Sequence, residues 1–349
     1  MKIYLYQGSY EKVKESGVGK AMDHQKKALE LNHIPYTVED DGDWDIIQLN
    51  TVFPDSLRAA NKARRQGKKV IYYGHSTMED FKNSFKGSNT IAPLFKRWIC
   101  HCYNHGDLIL TPTPYSKEIL DRYPITKPIL PISNGIDLEF FDREKGDREG
   151  FRKKYHLKEK DKVIVSVGLY IDRKGFREFL YLAKALPEYK FIWFGYTAPA
   201  LLPENIKEAI QNKSDNVQLP GYTSSLELRD ALTGADLFLF LSHEETEGIA
   251  LLEALAMKIP ALVRDIEIYK DRFKTGEAVY KANKTIDFKK EIKNIVEGKS
   301  EDLTENAYKV VEKVGLKNVG RQLSEIYRDL LNLSPEGKIG GYNESIDNN

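Results

Sequence analysis

The stretch Asp236-Leu-Phe-Leu-Phe-Leu-Ser-His-Glu-Glu-Thr-Glu-Gly-Ile-Ala-Leu-Leu-Glu-Ala-Leu-Ala-Met-Lys-Ile-Pro260 decides the fold class. Leu237 to Leu241 are apolar without alternation, which marks a strand covered on both faces; a polar, acidic loop follows, and a helix opens near Gly248. Runs of the same kind occur at Lys2–Gln7, Asp45–Asn50, Lys69–Tyr73 and Asp107–Thr111, and again at Val163–Val167 and Lys190–Phe194. Amphipathic stretches separate them, so strand alternates with helix and the class is α/β with parallel sheets. Two such series imply two facing, Rossmann-like, doubly wound sheets, with a ligand in the cleft between them at the carboxyl ends of the strands. The Pro/Gly/Asn-rich run from Pro128 to Asp137 interrupts the pattern and sets a boundary near Asn134. The expected division is an N-terminal domain over 1–134, a C-terminal domain over 135–333 whose final helix can cross back, and a flexible tail over 334–349.

The chain has 349 residues, with 53 Lys+Arg against 52 Asp+Glu. A net charge of +1 gives no chain-wide field of the sort that a nucleic-acid binder uses. The two cysteines, Cys100 and Cys102, and an opening MKIYLYQGSY that reads as a strand favour a reducing, cytoplasmic setting. No run of 18 apolar residues is present, so crossing a bilayer is not expected, although lying on one is compatible. Cys100-His101-Cys102-Tyr103-Asn104-His105 lacks the second pair of ligands that completes most structural zinc sites. Asp43-Trp44-Asp45 precedes a strand, the wrong end for a ligand site, and reads as a polar turn.

Glu245 and Glu253 stand eight residues apart, the first in the acidic loop and the second in the opening turns of the helix. Backbone N–H groups of Gly248, Ile249 and Ala250 would face outward there and suit a phosphate or a sugar hydroxyl. A second strand–loop–helix unit, Val165-Ser-Val-Gly-Leu-Tyr-Ile-Asp-Arg-Lys-Gly175, brings Arg173 and Lys174 to a helix start, where adjacent cations complement a diphosphate. Gly17 and Gly19 precede a helix expected over Ala21–Leu31 and permit a tight turn with close backbone approach to a ligand. No third glycine completes a dinucleotide fingerprint. His75 follows the strand Val70–Tyr73, where an imidazole can hydrogen-bond a sugar hydroxyl or a leaving-group oxygen. Tyr222 follows a further strand, in a turn whose backbone is a candidate for ligand recognition.

These motifs resemble the E-x7-E and phosphate-binding segments of the retaining GT-B glycosyltransferases of glycosyltransferase family 4. The similarity runs from Ser16-Gly17-Val18-Gly19 to Leu323–Leu330. It implies that Glu253 holds the ribose hydroxyls, that Glu245 approaches the donor sugar, and that Gly248 to Ala250 donate backbone bonds. By the same resemblance Lys174 is the phosphate-binding lysine, His75 the active-site histidine, and the Gly17–Gly19 loop a closure against the donor diphosphate. Leu169 stands where the family usually has Arg, and Arg173 is a candidate replacement. Glu244-Glu245-Thr246-Glu247-Gly248-Ile249 is similar to the loop of the Gram-positive branch that glycosylates diacylglycerol or monoglucosyldiacylglycerol. The implied reaction moves glucose or galactose from a UDP-sugar to monoglucosyldiacylglycerol in glycolipid or lipoteichoic acid anchor synthesis. Diacylglycerol, or a soluble polysaccharide, is the alternative acceptor. Retention of configuration is expected, with no cofactor or metal, because helix N-termini and Lys174 can take the diphosphate charge.

An anionic membrane is the other expected partner. Residues 51–100 carry ten Lys/Arg and three acids. Arg58, Lys62, Arg65 and Lys69 recur at helical spacing as one cationic face. Ile91, Leu94, Phe95, Trp98, Ile99 and Cys102 form an apolar stripe beside Lys96 and Arg97, which together suggest peripheral attachment to the inner face of the plasma membrane.

Overall fold

A computed structural model describes residues 1–332 apart from Phe85 and Asp271; the expected tail over 334–349 lies outside the described residues. The apolar runs form β1 (Ile3–Leu5), β2 (Tyr36–Thr37), β3 (Ile46–Leu49), β4 (Lys69–Tyr73), β5 (Leu108–Thr111) and β6 (Ile129–Pro131). A second series gives β7 (Val163–Val167), β8 (Lys190–Phe194), β9 (Val217–Gly221), β10 (Leu237–Phe240), β11 (Ala261–Arg264) and β12 (Tyr280–Ala282). They pair as two six-stranded sheets, in the orders β2-β1-β3-β4-β5-β6 and β12-β11-β10-β7-β8-β9. Every pairing is parallel, as fully buried strands without alternation require. The doubly wound α/β expectation therefore holds for both sheets.

The winding direction reverses between β1 and β3 in the first sheet and between β7 and β10 in the second. At such a reversal two neighbouring loops leave in opposite directions and open a crevice at the strands' carboxyl ends. In the second sheet those loops carry Arg173, Lys174 and Glu245.

Two compact units hold the sheets. Among the described residues, the first comprises Met1–His75, Trp98–Ser133 and Leu316–Asn332; the second comprises Ser76–Arg97 and Asn134–Gly315. In the first, the final helix Leu316–Asn332 lays Val319, Leu323, Ile326, Tyr327 and Leu330 into the core beside Ile3, Leu5, Ile46 and Ile71. Its strong amphipathicity makes this docking possible, because one apolar stripe faces the sheet and the other side stays polar. In the second, Phe176, Phe179, Phe191 and Trp193 pack edge to face between β8 and the helix Phe176–Ala185.

One helix start differs from expectation. Ser16 accepts a hydrogen bond from Val18 N–H at 3.2 Å, so the helix opens at Gly17 rather than Ala21 and runs to Leu31. Gly17 and Gly19 thus lie in its first turn and not in a preceding loop. A Cβ at Gly19 would stand 2.5 Å from Val13 O and Lys14 Cα, so that glycine serves the approach of the chain's own backbone.

Close approach also governs the docking of the final helix. A Cβ at Gly320 would overlap Asn32 Nδ2 and Ala28 O, both at the end of the Gly17–Leu31 helix. We predict that Gly320→Ala lowers unfolding stability by about 1–3 kcal/mol through forced separation of the two helices. Urea titration checks this, and an unchanged midpoint contradicts it.

Candidate functional site

In the second sheet, the β7 loop crosses onto the end of β10 because Gly175 adopts φ +76° where a side chain would collide with Leu241. His243 N–H donates to Arg173 O at 2.7 Å and stitches the two loops together. This geometry puts Lys174 Nζ 2.5 Å from Glu245 Oε1, with Glu245 only 5% exposed. Burial pushes the Glu245 carboxyl up. The charges of Lys174 and Arg173, with the hydrogen bond from Lys174, outweigh that and hold it below the usual carboxylate range. Glu245 is therefore an anion at neutral pH, and Lys174 is its counterion.

The helix Ile249–Ala256 begins three residues beyond Thr246, with Gly248 at its N-cap in a left-handed conformation, φ +85°. Glycine supplies no capping side chain, so the first-turn N–H groups of Ile249 and Ala250 point out of the helix end with the positive end of its dipole. Glu253 sits one turn further in, fully buried. Glu247, 1% exposed, accepts from Arg272 at 3.0 Å and from Asn134 N–H at 2.9 Å. That buried pair braces the acidic loop. The sequence offered no signal for it, since Arg272 lies 25 residues from Glu247. Tyr222 follows β9, at the edge of the sheet and two strands from β7, and is 53% exposed.

Arg173 is held by other partners than Lys174. Its Nε donates to Ser84 Oγ at 3.1 Å and its Nη1 to Glu244 O at 3.0 Å, with Asp80 Oδ1 at 2.7 Å. The guanidinium is thus occupied by the segment Ser76–Arg97 and by the acidic loop, an arrangement that suits a brace better than a phosphate contact.

In the first unit, His75 is buried at the end of β4, stacked on Tyr73 at 5.3 Å, with Nε2 3.0 Å from Asn50 Oδ1. Asn50 Oδ1 also accepts from Gln25, Gln25 accepts from Gln48, and Gln48 accepts from Tyr327. Because Asn50 Oδ1 can only accept, Nε2 carries the proton and Nδ1 the lone pair. Sequence reading missed this network, whose bonded partners lie up to 279 residues apart.

The basic face is shorter than expected. Arg58 and Arg65 are exposed on the helix Pro54–Arg65, and Lys62 pairs with Asp40 at 2.5 Å. The helix ends there, and Lys69 opens β4 instead of extending the stripe, since Gly67 at φ +73° turns the chain. The apolar stripe on the helix Ser88–Tyr103 also splits. Ile91 and Leu94 are 50% and 68% exposed, whereas Ile99 and Cys102 are buried. Trp98, half-buried, donates its indole N–H to Val52 O at 2.6 Å, so it anchors the helix rather than facing outward. No grouping of three or more His, Cys, Asp or Glu suited to a metal occurs among the described residues.

Burial lowers the His75 imidazole to about 4. The unfolded chain, near the ordinary value of about 6.5, then binds a proton that the folded chain refuses. Stability from the neutral ring is complete above pH 6.5 and is lost as pH falls toward 4. Over that window we predict that His75→Gln loses about 3 kcal/mol less stability than the parent chain, measured by urea unfolding at each pH. Identical pH slopes contradict the assignment.

Residues 147–310 match the family model described as glycosyl transferases group 1, and residues 31–140 match glycosyltransferase family 4. The processive diacylglycerol alpha-glucosyltransferase of Acholeplasma laidlawii is 36% identical over 95% of this chain and 99% of its own length. The alpha-galactosylglucosyldiacylglycerol synthase of Streptococcus pneumoniae is 27% identical over 74% of each chain. Among solved structures, Anabaena HepE in complex with UDP and glucose superposes with a TM-score of 0.76, at 16% identity over 94% of this chain and 99% of that one. With two parallel doubly wound sheets of the GT-B kind and a relative alike from end to end, the chain is a glycosyltransferase and belongs to glycosyltransferase family 4.

Proposed function

We propose that the enzyme transfers a hexose, glucose first, from a UDP-sugar to a diacylglycerol-type lipid, with retention at the anomeric carbon and without a metal. The observation that carries the reading is the Lys174–Glu245 pair beside the free helix end at Gly248. A cation and outward N–H groups at a sheet's switch point suit the diphosphate of a nucleotide sugar. The A. laidlawii relative, named for diacylglycerol glucosylation, supports that lipid as acceptor, and HepE, solved with UDP-glucose, supports the donor. Monoglucosyldiacylglycerol is the second acceptor of the same reading, favoured by the pneumococcal relatives named for glucosyldiacylglycerol products.

In the proposed step the bond from the anomeric carbon to the β-phosphate oxygen breaks as the acceptor hydroxyl oxygen bonds to the same face of that carbon. The departing phosphate oxygen takes the acceptor's proton, so no acid/base pair of carboxylates is needed. Lys174 and the amides of Gly248 to Ala250 hold the developing phosphate charge, Glu253 holds the ribose and Glu245 the donor sugar. His75, neutral and with its Nε2–H given to Asn50, accepts a hydrogen bond from a sugar hydroxyl at Nδ1.

Contact with the bilayer is part of the proposal. No helix among the described residues is long and apolar enough to cross a membrane. In the second unit the exposed Ile91 and Leu94 suit a lipid surface, and in the first unit the exposed cations Arg58 and Arg65 suit an anionic one.

The test is product mass after incubation of the purified enzyme with UDP-glucose or UDP-galactose and vesicles containing diacylglycerol or its monoglucosylated form. Glucosylated lipid formed in excess chelator is the expected result; no glycolipid from either donor, or loss of product with chelator, contradicts the reading. Glu253→Ala should raise the Kd for UDP about tenfold or more, whereas Glu245→Gln should lower kcat about a hundredfold while UDP binding is kept or strengthened, since Lys174 is released. Arg58→Glu with Arg65→Glu should cut activity severalfold on anionic vesicles and leave it unchanged on neutral detergent micelles. Equal loss in both assays removes the membrane role.

A further inference from the structure

Tyr269 lies in the turn after β11, and nothing in the reading above uses it. Its side chain is fully buried, at 1% exposure, and its hydroxyl has no hydrogen-bond partner among the described residues. A buried hydroxyl in that state is costly unless a ligand completes it. Its position is fixed from three sides: the ring packs on Phe273 at 5.6 Å, Tyr269 N–H donates to Ile266 O at 3.0 Å, and Lys281 Nζ donates to Tyr269 O at 2.9 Å.

The hydroxyl points at the helix end already described. A Cβ built on Gly248 would stand 2.6 Å from Tyr269 Oη, so the oxygen rests against the N-cap backbone, and glycine is the residue that leaves it room. Burial first, and then the charge of Glu245, push the phenol well above its ordinary value of 10.0. At neutral pH it is therefore an O–H donor.

We propose that Tyr269 is a donor ligand of the nucleotide diphosphate, its O–H completing the anion site formed by the Ile249 and Ala250 amides. This rests on the nucleotide-sugar reading and adds a residue to it. Two independent features meet at one point: a helix N-terminus with no side-chain cap, and a buried donor aimed at it without a protein acceptor. The carboxylates of Glu244, Glu245 and Glu247 lie close enough to influence the phenol, yet none accepts from it. A phosphate oxygen on the amides would supply the missing acceptor.

The test compares Tyr269→Phe with the parent enzyme by calorimetric titration with UDP and with uridine, alongside thermal unfolding of the ligand-free proteins. The expected result is a UDP Kd raised about tenfold, uridine affinity unchanged, and a melting temperature equal to or above the parent's, because the lost hydroxyl had no partner to leave behind. Equal UDP affinity in the two proteins overturns the proposal while leaving the nucleotide reading intact. Parallel weakening of UDP and uridine also overturns it, since a packing role would affect both. If the parent enzyme binds no UDP, the nucleotide reading itself falls and the Tyr269 assignment with it.

Discussion

The ion pair between Lys174 and Glu245 is the constraint on which the site's organisation depends. Neither charge belongs there on solvation grounds, since taking a carboxylate to 5% exposure favours its neutral form. The carboxylate persists because the lysine is 2.5 Å away and a second cation, Arg173, is anchored beside it. The pair sits where β7 and β10 run side by side and their loops part, so fold topology, and not sequence proximity, brings together residues 71 apart. In the proposed reaction, a diphosphate entering this position competes with Glu245 for the same ammonium group. Binding and the freeing of Glu245 toward the sugar are then one event, which suits a catalyst that must grip an anion and present a carboxylate at once.

The surroundings are built to keep that exchange local. Gly175 and Gly248, both at positive φ, let one loop lie on the end of β10 and let the other start a helix with its N–H groups uncovered. Glu247, bonded to Arg272 and to the backbone of Asn134, holds the far end of the acidic loop. Arg173 ties its near end to Asp80 and Ser84, in the segment that also carries the exposed Ile91 and Leu94. If those side chains enter a bilayer, their displacement acts on the segment that Arg173 fastens to the loop of Glu245.

The fold was legible because parallel strands covered on both faces are written as unbroken apolar runs, and such runs are local. So was the placement of Lys174 and Glu245 in loops at strand ends, and of Gly248 and Glu253 at the start of and within the helix that follows β10. What failed to show was set by partners distant in sequence or by a single capping residue. Ser16 moved the start of the first helix ahead of Gly17 and Gly19, so Gly19 answers to the backbone of Val13 and Lys14. Gly67 ended the basic helix before Lys69, and Val52 claimed the indole of Trp98. Arg173 and Lys174 look alike as neighbours in a sequence; only Asp80 and Ser84, more than 80 residues earlier, separate a brace from the counterion of Glu245. The chain of amides behind His75 and the orphan hydroxyl of Tyr269 are likewise tertiary facts.

The most direct measurement is a crystal structure of the enzyme with UDP. The account predicts the β-phosphate on the amides of Ile249 and Ala250, with Lys174 Nζ moved from Glu245 to a phosphate oxygen. UDP bound with its phosphates elsewhere, and the Lys174–Glu245 pair left as it is at 2.5 Å, would contradict it.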